Sequence, residues 1–325
     1  MTTPDCGPNC EETLREIESF LDGEADVSVQ EKISVHLSDC NPCMERAEFR
    51  RHVRSWSVRS ARATPSLLRS SSGSVRSSRN RRPYPDATMQ DLGTILGVWA
   101  HPDDDIYLSS GLMAVAAGAG SRVVDVTATR GEGGSLDEER WPPATMAGVR
   151  SAEMRRSLDI LGVEEHRFLE GLVDVDMQTP LDGSGASQVL DVVRDVQPDT
   201  VLTFGPDGMT GHEGHKSVSA WVEAAFEEAA KPGARLFHAT TTPEWAETWL
   251  PRLEPFGIFL PGTPPVVARD QVAIDFILPD DVLDLKFRAI QAHESQVEGL
   301  VAVFGDRMRE WMAVEYFRLE AEKRG

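Results

Sequence analysis

From about residue 92 onward the chain repeats one pattern: a short apolar, β-branched run, a polar or glycine-rich break, then a longer stretch with apolar residues at helical spacing. The clearest run is Thr94-Ile95-Leu96-Gly97-Val98-Trp99-Ala100, which reads as a buried strand. The same logic predicts strands over residues 122–129, 168–173, 200–204, 236–240 and 272–278. Helices are predicted over 107–119, over 145–161 with Thr145 as cap and Gly162 as stop, over 188–196, and from His215 through Val218, Trp221 and Ala225. Two more are predicted at the end, over 281–293 and 307–321. Strands that alternate with helices specify an α/β fold, here a Rossmann-like layered domain with a mainly parallel sheet.

The first 55 residues differ. Leu14, Ile17, Phe20 and Leu21, and then Val29, Ile33 and Leu37, fall at helical spacing around an Asp22-Gly23-Glu24 break, predicting a small all-α domain. Residues 56–90 are rich in Ser and Arg with little aliphatic periodicity, so they cannot offset their ordering entropy and read as a flexible linker. The organisation expected is a helical domain over 1–55, a linker over 56–90 and a catalytic α/β domain over 91–325.

Charge and composition narrow the class. At 325 residues and 40% hydrophobic content the chain can bury a large core, and its net charge of −20 argues against direct nucleic-acid binding. Ten arginines between Arg50 and Arg82, with no acidic residue among them, concentrate the positive charge in the linker. No apolar run is long enough to span a membrane, and the first twenty residues lack the order of a signal peptide, so a cytoplasmic location is expected.

All four cysteines, Cys6, Cys10, Cys40 and Cys43, lie in the helical segment. His36-x3-Cys40-x2-Cys43 places three ligands on consecutive turns and the end of one helix, and Cys10 completes a tetrahedral structural zinc site. A Cys-x-x-Cys pair alone is equally compatible with a redox pair or two partly buried thiols.

The strand at 94–100 ends in His101-Pro102-Asp103-Asp104-Asp105, and the strand at 200–204 leads to Gly211-His212-Glu213-Gly214-His215. Three adjacent carboxylates repel one another, so a fold that gathers them beside a buried strand needs a compensating charge, most simply a divalent metal. The bland alternative is a polar turn capping the next helix. A catalytic zinc takes three protein ligands and leaves one position open; His101, Asp104 and His215 supply two imidazoles and a carboxylate. Asp103 is then free as general base and His212 to stabilise or protonate what forms on the substrate, while the metal makes water a nucleophile near neutral pH. Thr129-Arg130-Gly131-Glu132-Gly133-Gly134 is not a dinucleotide fingerprint; it lets backbone approach the site with Glu132 facing it. No G-x-S-x-G and no phosphate-binding G-x-x-x-x-G-K occurs.

Two resemblances follow from these residues. Ala100-His101-Pro102-Asp103-Asp104, Thr129-x-Gly131-Glu132-x-Gly134, Arg150-x-x-Glu153, Leu161-Gly162-Val163, Gly211-His212-x-x-His215 and Lys286-x-x-Ala289-x-x-x-His293-x-Ser295-Gln296 follow the order of the LmbE/PIG-L family of zinc-dependent N-acetylglucosamine deacetylases. That resemblance spans about residues 92–320. It implies removal of the N-acetyl group from a GlcNAc-containing glycoside, with Asp103 as base, His101, Asp104 and His215 on zinc, His212 aiding the tetrahedral intermediate, and Arg150 and Asp174 touching sugar hydroxyls. Asp105 stands where the family usually has Glu. Residues 5–55, through Cys10-Glu-Glu-Thr-Leu, Phe20-Leu-Asp-Gly-Glu24 and His36-Leu-Ser-Asp-Cys40-Asn-Pro-Cys43, resemble the zinc-binding anti-sigma factors of the mycothiol-linked stress response. That likeness implies zinc binding, a disulfide switch using Cys10, and a sigma factor as partner. Together the two point to a GlcNAc-inositol mycothiol precursor as substrate; the competing reading is a redox-responsive anti-sigma regulator whose second domain is a degenerate ligand-binding module.

Overall fold

The structure, a computed structural model, describes residues 26–39, 92–305 and 307–324. The chain divides into two compact units, Met1–Arg76 and Ser77–Gly325. In the first, the described residues form helix α1 (Val27–Asp39), at the place the apolar spacing predicts. Asp26 starts it: its Oδ1 accepts from the backbone N–H groups of Ser28 and Val29, which have no partner inside a helix. His36 lies on α1, half-buried. Cys6, Cys10, Cys40, Cys43 and the Ser/Arg-rich stretch lie outside the described residues.

The second unit is built on β1 (Ile95–Trp99), α2 (Asp104–Leu108), α3 (Ser110–Gly118), β2 (Val123–Thr127), α4 (Pro143–Leu161), β3 (Glu165–Phe168), α5 (Gly185–Val196) and β4 (Thr200–Thr203). A helical turn Gly208–Gly211 then leads to α6 (Glu213–Ala229), β5 (Arg235–Ala239), α7 (Pro243–Leu253), β6 (Ile274–Ile277), α8 (Asp280–Gln291), α9 (Glu294–Phe304), α10 (Arg307–Trp311) and β7 (Val314–Glu322). One seven-stranded sheet runs in the order β3-β2-β1-β4-β5-β7-β6. The first five strands pair parallel, and β7 pairs antiparallel with both β5 and β6. The fold is therefore the mainly parallel α/β sheet that the sequence predicts.

The strand order reverses between β1 and β4. Right-handed crossovers place α3 and α4 over one face, where they pack with α8, and α5 and α6 over the other, where they pack together. Every residue of β1, β2 and β4 is buried, which is why these strands read as continuous apolar runs rather than alternating ones. Gly97 at the middle of β1 is needed for closeness: a Cβ there would lie 2.8 Å from Trp99 Nε1 and 3.2 Å from Asp125 Oδ1. Trp99 meets Phe204 edge-on, with ring centroids 5.1 Å apart, joining the ends of the two central strands.

Several predicted boundaries shift. The helix expected at 307–321 is instead a single helical stretch ending at Trp311 followed by β7, the strand that pairs antiparallel with β5 and β6. The strand expected at 168–173 lies earlier, at Glu165–Phe168. Residues 107–119 split into α2 and α3. Helix α4 begins at Pro143 without a side-chain cap; Thr145 bonds back to the Pro142 carbonyl instead, and Gly162 closes the helix at φ 73. Among the described residues no helix is long and apolar enough to cross a membrane.

Candidate active site

The switch point between β1 and β4 opens a crevice beyond the carboxyl ends of the strands, where open α/β sheets hold their ligands. The chain leaving β1 carries His101, Asp103 and Asp104 into it, and the segment after β4 delivers His212 and His215. Asp103 bends the chain, with a left-handed φ of 114, a conformation that strains a non-glycine residue and is concentrated at functional sites.

His101, Asp104 and His215 meet in one triangle. His101 Nδ1 lies 3.0 Å from His215 Nε2, and Asp104 presents Oδ2 at 3.5 Å from His101 Nδ1 and Oδ1 at 3.4 Å from His215 Nε2. An ion bound tetrahedrally at about 2.0–2.1 Å has ligand edges of about 3.3–3.4 Å, so the triangle fits a zinc-sized cation. Each ligand is aimed by a second contact. The His101 backbone N–H donates to Asp104 Oδ2 at 2.7 Å. His215 Nδ1 donates to the Gly208 carbonyl at 2.9 Å, which leaves the Nε2 lone pair free. His101 Nε2 faces Asp174 Oδ1 at 3.4 Å, the carboxylate–histidine arrangement that sets a ligand's tautomer.

His212 approaches the same point, and nitrogen atoms of His101, His212 and His215 all lie within 4.8 Å of one another, so this group could hold a metal. Its role differs from that of the other two, because its Nδ1 accepts from the Gly214 N–H at 3.1 Å. The proton of the neutral ring therefore sits on Nε2, 3.9 Å from Asp174 Oδ1. The ring stacks on His215, centroids 4.9 Å apart, and His215 stacks on Phe204 at 4.1 Å.

The electrostatics follow the burial. Burial disfavours charge on His101, but Asp104 and Asp174 outweigh it and raise its pKa to about 9. Asp104 is driven well below the usual carboxylate range because His215 and His101 overcome its burial. Burial, reinforced by the neighbouring imidazoles, lowers His212 to about 3 and His215 to about 4, so both rings are neutral at pH 7. Asp103 is pushed up to about 7 by burial, against the pull of Arg150. A dication at the triangle would add a strong bias toward the ionised form.

Arg150, on α4, is buried and places Nη2 3.2 Å from Asp103 Oδ2 and 2.6 Å from the Pro102 carbonyl. It fits only because Gly131, at φ 65, has no side chain to collide with the guanidinium. Glu132 accepts from the Asp174 backbone N–H at 3.1 Å, tying the two loops together. Asp105 is fully buried with neither oxygen hydrogen-bonded among the described residues; burial, with Asp125 beside it, raises its pKa well above normal. Of the proposed structural ligands, only His36 lies among the described residues.

Sequence reasoning did not find the walls of the crevice. Beside the triangle a cavity of about 260 Å³ is lined by Tyr107, Phe204, Trp245, Phe259, Leu300 and Trp311 among others. These come from separate elements, and the signal available was a high density of aromatics over 245–259 and 304–316.

Comparison with known proteins follows from this geometry. Residues 96–226 match the family model described as PIG-L: GlcNAc-PI de-N-acetylase. A protein of Actinosynnema mirum named 1D-myo-inositol 2-acetamido-2-deoxy-alpha-D-glucopyranoside deacetylase is 32% identical over 233 residues, covering 62% of this chain and 80% of that protein. A protein of the same name from Rhodococcus opacus is 32% identical over 238 residues, covering 62% and 81%. A solved deacetylase–teicoplanin complex from the biosynthesis pathway of teicoplanin shares the fold, with a TM-score of 0.50 and 16% identity over 70% of this chain and 97% of that one.

Proposed function

The chain belongs to the PIG-L family of GlcNAc de-N-acetylases, and from that premise we propose that it hydrolyses the N-acetyl group of a glucosamine glycoside, with a GlcNAc-inositol as the natural class of acceptor. The observation that carries this reading is the His101–Asp104–His215 triangle with Asp103 beside it at the switch point. When bound there, zinc would act as a Lewis acid toward water and the amide carbonyl.

The residues of the chain do the rest. Asp103 takes a proton from the attacking water, and its raised pKa suits it to return that proton to the departing amine. Arg150 holds Asp103 in place. His212, with its proton on Nε2, donates to the oxygen that becomes negative as the carbonyl carbon turns tetrahedral. Asp174 orients His101, and with Glu132 and Arg150 forms the polar wall on which sugar hydroxyls are bound.

The finer reading of residues 1–55, a structural zinc on Cys10, His36, Cys40 and Cys43 and contact with a sigma factor, is supported by sequence pattern alone. Elemental analysis of reduced, full-length protein is expected to give two zinc ions per chain; one or fewer refutes the second site.

The substrate reading is tested by competition. Zinc-loaded protein offered a GlcNAc-inositol and a methyl GlcNAc glycoside together should release acetate from both and consume the inositol-bearing one first. Equal consumption removes the inositol assignment, and no acetate from either removes the deacetylase reading.

A further inference from the structure

The cavity beside the triangle has the wrong chemistry for a sugar. Its polar lining groups away from the triangle are already engaged: Thr240 and Thr241 donate to the Pro265 carbonyl, and Gln296 donates to the Gly134 carbonyl. Glu315 is saturated by Lys286 Nζ at 2.7 Å and by the backbone N–H groups of Gly111 and Leu112 at 2.7 and 2.9 Å. The other lining groups that carry charge, Asp103, Asp104 and His215, are all at the triangle. Between these ends the walls are Trp245, Phe259, Leu300, Trp311 and Met312. A pyranose or inositol ring seated there would leave its hydroxyls without partners, which is costly. The polar groups Arg150, Glu132, Asp174 and His212 are not part of this lining. An amide whose carbonyl sits at the triangle therefore has a polar side for its amine-bearing sugar and an apolar side for its acyl group.

We propose that this cavity is an acyl pocket, and that the enzyme favours N-acyl glucosaminides whose straight aliphatic chain is longer than acetyl. The inference rests on the deacylase reading of the site and specifies its substrate class. An acetyl methyl leaves most of the 260 Å³ unfilled. A water molecule takes about 30 Å³ in the liquid, so several chain carbons fit beyond the methyl. The reaction is unchanged: the water oxygen bonds to the acyl carbon, and the carbon–nitrogen bond breaks with its electron pair leaving on nitrogen. The nitrogen takes a proton, and the products are a fatty acid and a free amine.

The test uses zinc-loaded, full-length protein and glucosaminides of one fixed aglycone bearing acetyl, propionyl, butyryl or hexanoyl on nitrogen. Each methylene transferred into an apolar wall raises kcat/KM by about fourfold until the cavity is full. Butyryl is expected to exceed acetyl by about tenfold or more. Leu300→Trp, which fills the cavity, should reverse that order. Independently of turnover, hexanoate should bind the same protein at least about tenfold more tightly than acetate in a calorimetric titration. A flat or falling chain-length series, or equal binding of the two carboxylates, overturns the proposal. So does a gain that follows aglycone length and not acyl length, which would put the aglycone in the cavity. Hydrolysis of the acetyl compound alone removes this inference and leaves the deacetylase reading; hydrolysis of none removes both.

Discussion

Arg150 holds Asp103. Its Nη2 sits 3.2 Å from the Asp103 carboxylate and 2.6 Å from the Pro102 carbonyl, so one buried guanidinium fixes both the strained turn after β1 and the side chain that follows it. It also supplies the charge that opposes the effect of burial on Asp103, whose pKa stands at about 7. Arg150→Gln removes that charge and moves the Asp103 pKa upward, so the base is protonated over more of the neutral range. The acid limb of the pH profile of kcat/KM should move to higher pH, and activity at pH 7 should fall at least about tenfold, since one pKa unit is a tenfold change in the ionised fraction. An unshifted acid limb in the holoenzyme would separate Asp103 from the role of base.

Asp103 and Asp104 are neighbours with different tasks. Asp103→Asn should leave metal content intact while lowering kcat by about 10²–10⁴, the usual contribution of a positioned general base. Asp104→Ala removes one corner of the triangle and should lose both metal and turnover. Metal analysis showing equal loss in the two variants would contradict the division.

Asp174 touches the triangle only through His101, at 3.4 Å. Asp174→Asn should weaken metal binding by about 10- to 100-fold, the size of effect seen when a histidine ligand loses its supporting carboxylate. Competition with a chromogenic chelator reads this directly, and unchanged affinity would confine Asp174 to the substrate.

The strand-to-site junctions were legible because each carries two signals at once. Residues 94–105 combine a buried apolar run with an abrupt His-Pro-Asp-Asp-Asp, and residues 200–215 do the same with paired histidines. The C-terminal segment was not. Met308, Trp311 and Met312 fall at helical spacing, and the periodicity was carried past the real end of the helix into β7. What makes that stretch a strand is pairing with β5 and β6, a tertiary fact. The same holds for the contact of Arg150 with Asp103, 47 positions apart in the chain, and for an apolar cavity whose walls come from α2, α7, α9 and α10. Glu315 reads as an ordinary charged residue in sequence. Only the fold shows it buried against Lys286 and capping the backbone of α3.

That buried pair predicts a stability effect. Lys286 and Glu315 are both fully buried, with Lys286 also donating to the Tyr107 carbonyl at 3.0 Å. Lys286→Met strands a buried carboxylate and should cost about 3–5 kcal/mol. Lys286→Met with Glu315→Gln should cost less than the sum of the two single changes, as expected for residues in contact. Urea unfolding of the three variants measures the coupling, and strict additivity would contradict it.

A second stability prediction concerns acid. Burial lowers His293 to about 3, while in the unfolded chain it titrates near 6.5. Below pH 6.5 the unfolded state binds a proton that the native state refuses, so the contribution of His293 is complete above pH 6.5 and is lost as pH falls toward 3. At pH 5 the loss is about 2 kcal/mol. His293→Gln should flatten this part of the stability curve, and an unchanged slope between pH 6.5 and 5 would contradict the assignment.

The central claim is metal-dependent amide hydrolysis at the His101–Asp104–His215 triangle, and the most direct measurement is acetate release from a GlcNAc glycoside by chelator-stripped protein during zinc titration. The account predicts that stripped protein is inactive, that zinc restores the rate to a plateau, and that Asp104→Ala shows no recovery at the same zinc concentrations. Full activity in stripped protein, or recovery of Asp104→Ala alongside the wild type, would contradict it.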